Sequence, residues 1–182
     1  MKTKLTLLFI ALTSFFVQAQ NTEACTETLS LMSTSVKAKD VTAYDYLTTL
    51  RKDCPSFHKS IYALGEFAVK LKIEKATTPQ DKEKYVRDLL KLYDEHDQYF
   101  PGNGAGNKMK KGLVLFENKV GTTDEVFQLL DVAFKTDYAN FKYAKAMYVY
   151  FEILVNNHKA NKGVELQQVF DKYDDISKKL DE

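Results

Sequence analysis

The stretch FHKSIYALGEFAVKLKIEK, residues 57–75, decides the fold class. Its apolar side chains Phe57, Ile61, Leu64, Ala68 and Leu71 recur in steps of four and three, and Lys59, Glu66, Lys70 and Lys72 fall outside that stripe. Such steps follow the turn of an α-helix, so one face is buried and the other stays in water. The same spacing continues on both sides, with no run of alternating β-branched residues bounded by turns. Only 7 Gly and 3 Pro stand in 182 residues, too few for a sandwich of many short, turn-linked strands. The sequence therefore predicts an all-α chain.

Helix punctuation divides the rest. Thr77-Thr78-Pro79 is a cap followed by an early proline, and Gly121-Thr122-Thr123-Asp124-Glu125 ends one helix and caps the next with acids in its first turn. The resulting partition is eight helices: 22–38, 41–53, 56–75, 80–99, 107–120, 123–136, 141–159 and 163–181. Short connections imply antiparallel neighbours. The loosest stretch, Pro101 to Asn107, holds three glycines. It reads as a long turn inside one domain of residues 20–182, or as a bend between two halves.

A hydrophobic fraction of 45% with 28% charge suits a chain that buries a core, and 26 basic against 25 acidic residues supply no bulk field for nucleic acid. The start, MKTKLTLLFIALTSFFVQAQ, has Lys2 and Lys4, an apolar run from Leu5 to Val17, and small residues at Val17 and Ala19. That three-part pattern reads as an export leader, residues 1–19, removed on secretion. The run is short of the roughly 20 apolar residues that span a bilayer. The mature chain is expected in the periplasm, at the cell surface or outside, with no transmembrane segment. Without Lys2 and Lys4 its formal charge moves from +1 to −1.

Both cysteines lie beyond the leader, and an oxidising compartment favours their pairing. If 22–38 and 41–53 form a hairpin, Cys25 at the start of the first helix lies beside Cys54 at the end of the second. A bridge there closes a loop of about 30 residues, worth roughly 3–4 kcal/mol in the chain-entropy model. The other reading is two unrelated buried thiols.

Counting back from Pro55 finds Ala43, Leu47 and Leu50, and counting back from Pro101 finds Leu89, Tyr93 and His96 at the same spacings. These are the closing positions of a tetratricopeptide repeat. Leu64-Gly65 matches the Leu-Gly step of such a repeat's first helix. On Cys25, Cys54-Pro55, Gly65 and Tyr99-Phe100-Pro101, the chain resembles exported, degenerate TPR-like helical-repeat proteins of gram-negative bacteria. It departs from the standard pattern in having no Trp and a period stretched past 34 residues. The resemblance implies antiparallel helix pairs stacked as a right-handed solenoid, with a concave face that holds a peptide or partner protein.

No constellation for catalysis, metal or cofactor emerges. His58, His96 and His158 fall on different predicted helices, without an i, i+4 pair. His96, within Asp94-Glu95-His96-Asp97, reads as an acidic, solvated helix end. The Gly102–Lys108 stretch lacks both the spacing of a phosphate loop and a preceding strand; Lys108, Lys110 and Lys111 read as a solvated basic turn. The expected role is binding without catalysis.

The informative oddity is 11 Tyr and 12 Phe with no Trp. In Met147-Tyr148-Val149-Tyr150-Phe151 bulky residues point all round a helix, so some face the core and some the surface. Two mixed rows at helical spacing are the candidate partner-binding residues: Tyr62, Glu66 and Lys70 on one helix, and Lys145, Tyr148 and Glu152 on another. Aromatic rings supply contact area and charges supply register. The last segment sets Leu166, Val169, Phe170, Tyr173, Ile176 and Leu180 against Asp171, Lys172, Asp174, Asp175, Lys178 and Lys179, an amphipathic helix suited to capping the stack. The alternative reading is a helical-bundle carrier whose Phe and Tyr line a cavity for a small apolar ligand.

Overall fold

A computed structural model describes residues 22–104 and 106–181. The leader reading, residues 1–19, lies outside them. Among the described residues the chain is all-helical, with eight α-helices and no strand. They are α1 (22–37), α2 (Ala43–Asp53), α3 (Ser60–Lys75), α4 (Pro79–Tyr99), α5 (Asn107–Asn118), α6 (Thr123–Thr136), α7 (Ala144–Lys159) and α8 (Leu166–Leu180). Among those residues no helix is long and apolar enough to cross a membrane.

The predicted caps form. Thr78 Oγ1 accepts from Asp81 N at 3.0 Å, ahead of Pro79 in the first turn of α4. Thr122 Oγ1 accepts from Glu125 N at 3.1 Å, and Gly121 before it takes φ +78°. Helix α7 starts later than its apolar pattern predicts. Residues Tyr138–Asn140 form a 3-10 turn, and Phe141 is buried in the linker before α7. There its ring lies 5.3 Å from Phe134, so burying one large side chain outweighs one more turn of helix.

The chain divides into two compact units, one up to Tyr85 and one from Val86, with the division inside α4. In the first unit, α2 packs on α3. Ala43, Leu47, Leu50, Ile61, Ala68 and Val69 are fully buried. Cys25 and Cys54 form a disulfide with Cα atoms 6.1 Å apart, joining the start of α1 to the residue after α2. Tyr44 meets Tyr85 edge-on at 5.4 Å, and the Lys72 ammonium lies over both rings.

The stripe of α3 is rotated from its predicted phase. Ile61 and Ala68 are buried as expected, whereas Phe57, Leu64 and Leu71 are half-buried and the core takes Tyr62, Gly65, Val69 and Ile73 instead. Apolar residues stand on nearly every side of this helix, so the pattern specifies a helix without specifying its buried face.

In the second unit α5 packs on α6, α6 on α7 and α7 on α8. At Gly112 an added Cβ would lie 2.7 Å from Leu130 Cγ, so α5 and α6 approach closely only because that position has no side chain. The core joins Val86, Leu89, Leu92, Leu115, Leu130, Val149 and Tyr150. Between α4 and α5, the glycine-rich turn is organised by Asn107. Buried at the start of α5, Asn107 donates from Nδ2 to Asp97 Oδ1 at 2.9 Å. A Cβ on Gly104 would overlap both groups.

Replacing Cys25 and Cys54 by Ala should lower unfolding stability by roughly 3–4 kcal/mol, the loop-closure value for a separation of 29 residues. Urea titration followed by circular dichroism checks this, and an unchanged midpoint would contradict it.

Candidate functional site

The two candidate rows meet different fates. Tyr62 is only 2% exposed, and its hydroxyl donates to Pro55 O at 3.0 Å. This corrects the expectation of a contact residue: the rotated face of α3 draws the ring into the core, where the hydroxyl ties the helix to the loop behind Cys54. Beside it, Lys70 Nζ and Glu66 Oε1 form an i, i+4 pair at 2.7 Å. The first row is thus one core residue and one local ion pair.

The second row is at the surface. Tyr148 is 63% exposed, and its hydroxyl donates to Glu152 Oε1 at 3.3 Å one turn on. Lys145 Nζ reaches Glu117 Oε1 of α5 at 2.5 Å. These contacts orient the charges while the Tyr148 ring stays open to solvent. The rest of the Met147–Phe151 run sorts as helix geometry requires, with Met147, Val149 and Tyr150 buried and Phe151 half-buried.

The buried aromatics explain why α8 lies as it does. Phe134 sits 5.1 Å from Tyr138, 5.3 Å from Phe141 and 5.5 Å from Tyr150, and Phe127 sits 5.4 Å from Tyr150. Much of the Phe and Tyr surplus is used in packing rings on rings. Tyr150 donates its hydroxyl to Asp131 Oδ1 at 2.6 Å. Burial and the Asp131 carboxylate both push the phenol well above its ordinary value of 10.0, since each disfavours a second negative charge there.

Onto this ring cluster α8 lowers lysines. Lys172 Nζ stands 4.2 Å from the Phe134 centroid and 5.6 Å from that of Tyr150, and Lys179 Nζ is 4.3 Å from the Tyr138 centroid. Ile176 between them is buried. Stems and ammonium groups cover the rings by cation–π and apolar contact together. This decides how the last helix packs. Leu166, Phe170, Tyr173 and Leu180 face solvent at 52–58% exposure instead of closing the core. The amphipathic pattern predicts a cap, and the lysine contacts show which side of it turns in.

The polar residues singled out for chemistry make local contacts. Asp94 takes Lys111 Nζ at 2.7 Å, Lys108 Nζ donates to Thr136 Oγ1 at 3.1 Å, and Lys110 Nζ lies 5.4 Å from the Tyr93 centroid. His96 Nδ1 faces Asn107 Nδ2 at 3.4 Å. His58 Nδ1 accepts from Ser60 N at 3.1 Å, and His158 Nδ1, 2.8 Å from Val164 O, is the donor in that contact. No group of three His, Cys, Asp or Glu placed to hold a metal occurs among the described residues. Arg87 grips Glu125 with both guanidinium nitrogens, one of them at 3.1 Å. The grip holds that carboxyl below its ordinary range.

Because the Tyr150 phenol is raised by folding, its contribution is complete below the unfolded value near 10.0 and is lost as pH rises past it, where only the unfolded chain ionises readily. Tyr150→Phe should cost about 1–3 kcal/mol at pH 7, the scale of a buried hydrogen bond to a charged group. The gap to the parent chain should narrow above pH 10, as read from urea midpoints at pH 7 and pH 10.5; a constant gap would contradict it. Set against known proteins, the chain matches no family model, no curated protein and no solved structure.

Proposed function

We propose that this chain is a non-catalytic protein-interaction or assembly module of the cell envelope, exported by its leader and built from TPR-like helix pairs. Burial of Ala43, Leu47, Leu50, Leu89 and Tyr93, at five of the six helix positions that carry the repeat spacing, supports the repeat reading. The Cys25–Cys54 disulfide is in keeping with an oxidising compartment.

The observation that carries the reading is the set of exposed apolar side chains of the second unit: Leu166, Phe170, Tyr173 and Leu180 in a row on α8 and, separately, Tyr148 on α7. Scattered apolar residues are ordinary on any surface, but a row along one helix marks a place for another protein. Tyr148 adds a large ring with few rotatable bonds, oriented by Glu152, the residue class that dominates interface energies.

The test is in-cell cross-linking of the tagged chain at native abundance in its own host, with mass spectrometry of what is attached. One dominant protein partner is expected, and its capture should fall in Tyr148→Ala at unchanged helicity. If no protein is attached, or if capture is the same in the variant, the reading fails.

A further inference from the structure

We infer that Asn103 is a self-modification site, where the chain converts its own asparagine into a β-linked aspartate and so unseats the turn that leads into α5. The inference goes beyond partner binding and stands on the chemistry of that turn.

Residue order supplies the first condition. Of the eight asparagines in the chain, only Asn103 is followed by glycine. A side chain on the following residue crowds the attack of that residue's backbone nitrogen on the asparagine amide, and Gly104 has none. Gly102 on the other side takes φ +82° with nothing within 4 Å of an added Cβ, so the preceding peptide can also turn. Asn103 is exposed, and water reaches it.

The hydrogen bonds of the turn supply the second. Asn103 N donates to Phe100 O at 3.0 Å, and Asn107 N donates to Gly104 O at 2.9 Å, which holds the chain on both sides of the reacting bond. Among the described residues the Gly104 N–H between these anchors donates no hydrogen bond, so the nucleophile is spared. By contrast Asn118, Asn156 and Asn157 lie in α5 and α7, where backbone nitrogens are engaged in the helical ladder.

The reaction needs only water. The Gly104 nitrogen attacks Asn103 Cγ, the new N–C bond closes a cyclic imide, and the Cγ–Nδ2 bond breaks. Ammonia leaves with the proton given up by the Gly104 amide. Water then opens the imide. Addition at the side-chain carbonyl gives ordinary aspartate, whereas addition at the main-chain carbonyl gives the β-linked form, whose backbone runs through Cβ and Cγ and is longer by one carbon.

That carbon matters because the seat of Gly104 has no slack. A Cβ there would overlap Asp97 Oδ1 and Asn107 Nδ2, the two groups that bond each other at 2.9 Å between the end of α4 and the start of α5. Lengthening the main chain beside a close-packed seat displaces Gly104 and the carbonyl that accepts from Asn107 N. The first turn of α5 then loosens.

The experiment ages the exported chain at neutral pH and maps its peptides, with a methyltransferase specific for β-linked aspartate marking the product. Asn103 should convert at least roughly tenfold faster than any other asparagine, mostly to the β-linked form. Asn103→Gln, whose longer side chain must close a larger ring, should stay unmodified with circular dichroism like the parent's. Hydrogen exchange from Gly106 to Lys111 should rise in the aged, β-linked fraction and stay unchanged in Asn103→Asp, which adds the charge without the carbon. Asn103 intact in the folded chain after a synthetic peptide of the same turn has converted overturns the inference, since the fold then protects the site. So does conversion no faster than at the other asparagines, conversion that leaves the exchange of α5 unchanged, or equal loosening in Asn103→Asp.

Discussion

The contact of Lys172 and Lys179 with the aromatic cluster governs the second unit, because it decides which side of α8 the protein hides. A helix with six apolar positions would ordinarily bury them, at about 1.5–3 kcal/mol for each large side chain removed from water. Here the neighbouring surface is a set of ring faces, Phe134, Tyr138 and Tyr150, whose quadrupoles favour a cation. Two lysines meet that demand with their stems lying along the rings, and Ile176 fills the space between. Once they are seated, rotation about the helix axis is determined, and four large apolar side chains point to water.

The same cluster sets the electrostatics inside. Asp131 is shared between the Tyr150 hydroxyl and Lys135, so its charge is neutralised from the surface and hydrogen-bonded from the core. A buried tyrosine whose hydroxyl has a partner costs little to bury, while one without costs a few kcal/mol. Tyr62 in the first unit shows the same economy with a backbone carbonyl, Pro55 O. In both units a core tyrosine has one polar tether, and Tyr62, expected at the surface, is one of the two.

Stability in the first unit rests on a different device. The Cys25–Cys54 bridge spans the α1–α2 hairpin, and the Tyr62 hydroxyl bond is made to the carbonyl directly after Cys54. A covalent link and a core hydrogen bond converge on one loop, which positions the start of α3. The second unit has no cysteine and relies on close helix approach at Gly112 and on Asn107, which organises the glycine-rich turn.

The helical class, the number of helices and most of their ends were legible in the sequence, because periodicity and caps are local properties: Thr78 and Thr122 bond within three residues of themselves. The pairing of Cys25 with Cys54 was legible for the same reason, since a hairpin of two short helices brings its outer ends together. The buried face of a helix is a property of its neighbour. On α3 apolar residues on every side left the phase undetermined, so Tyr62 was assigned to the surface and belongs to the core. On α8 the pattern predicted a cap and left its inner side open, and the tertiary structure turned Leu166, Phe170, Tyr173 and Leu180 outward because the surface beneath is aromatic and takes lysine. Only the assembled rings, brought from three separate stretches of chain, could decide that.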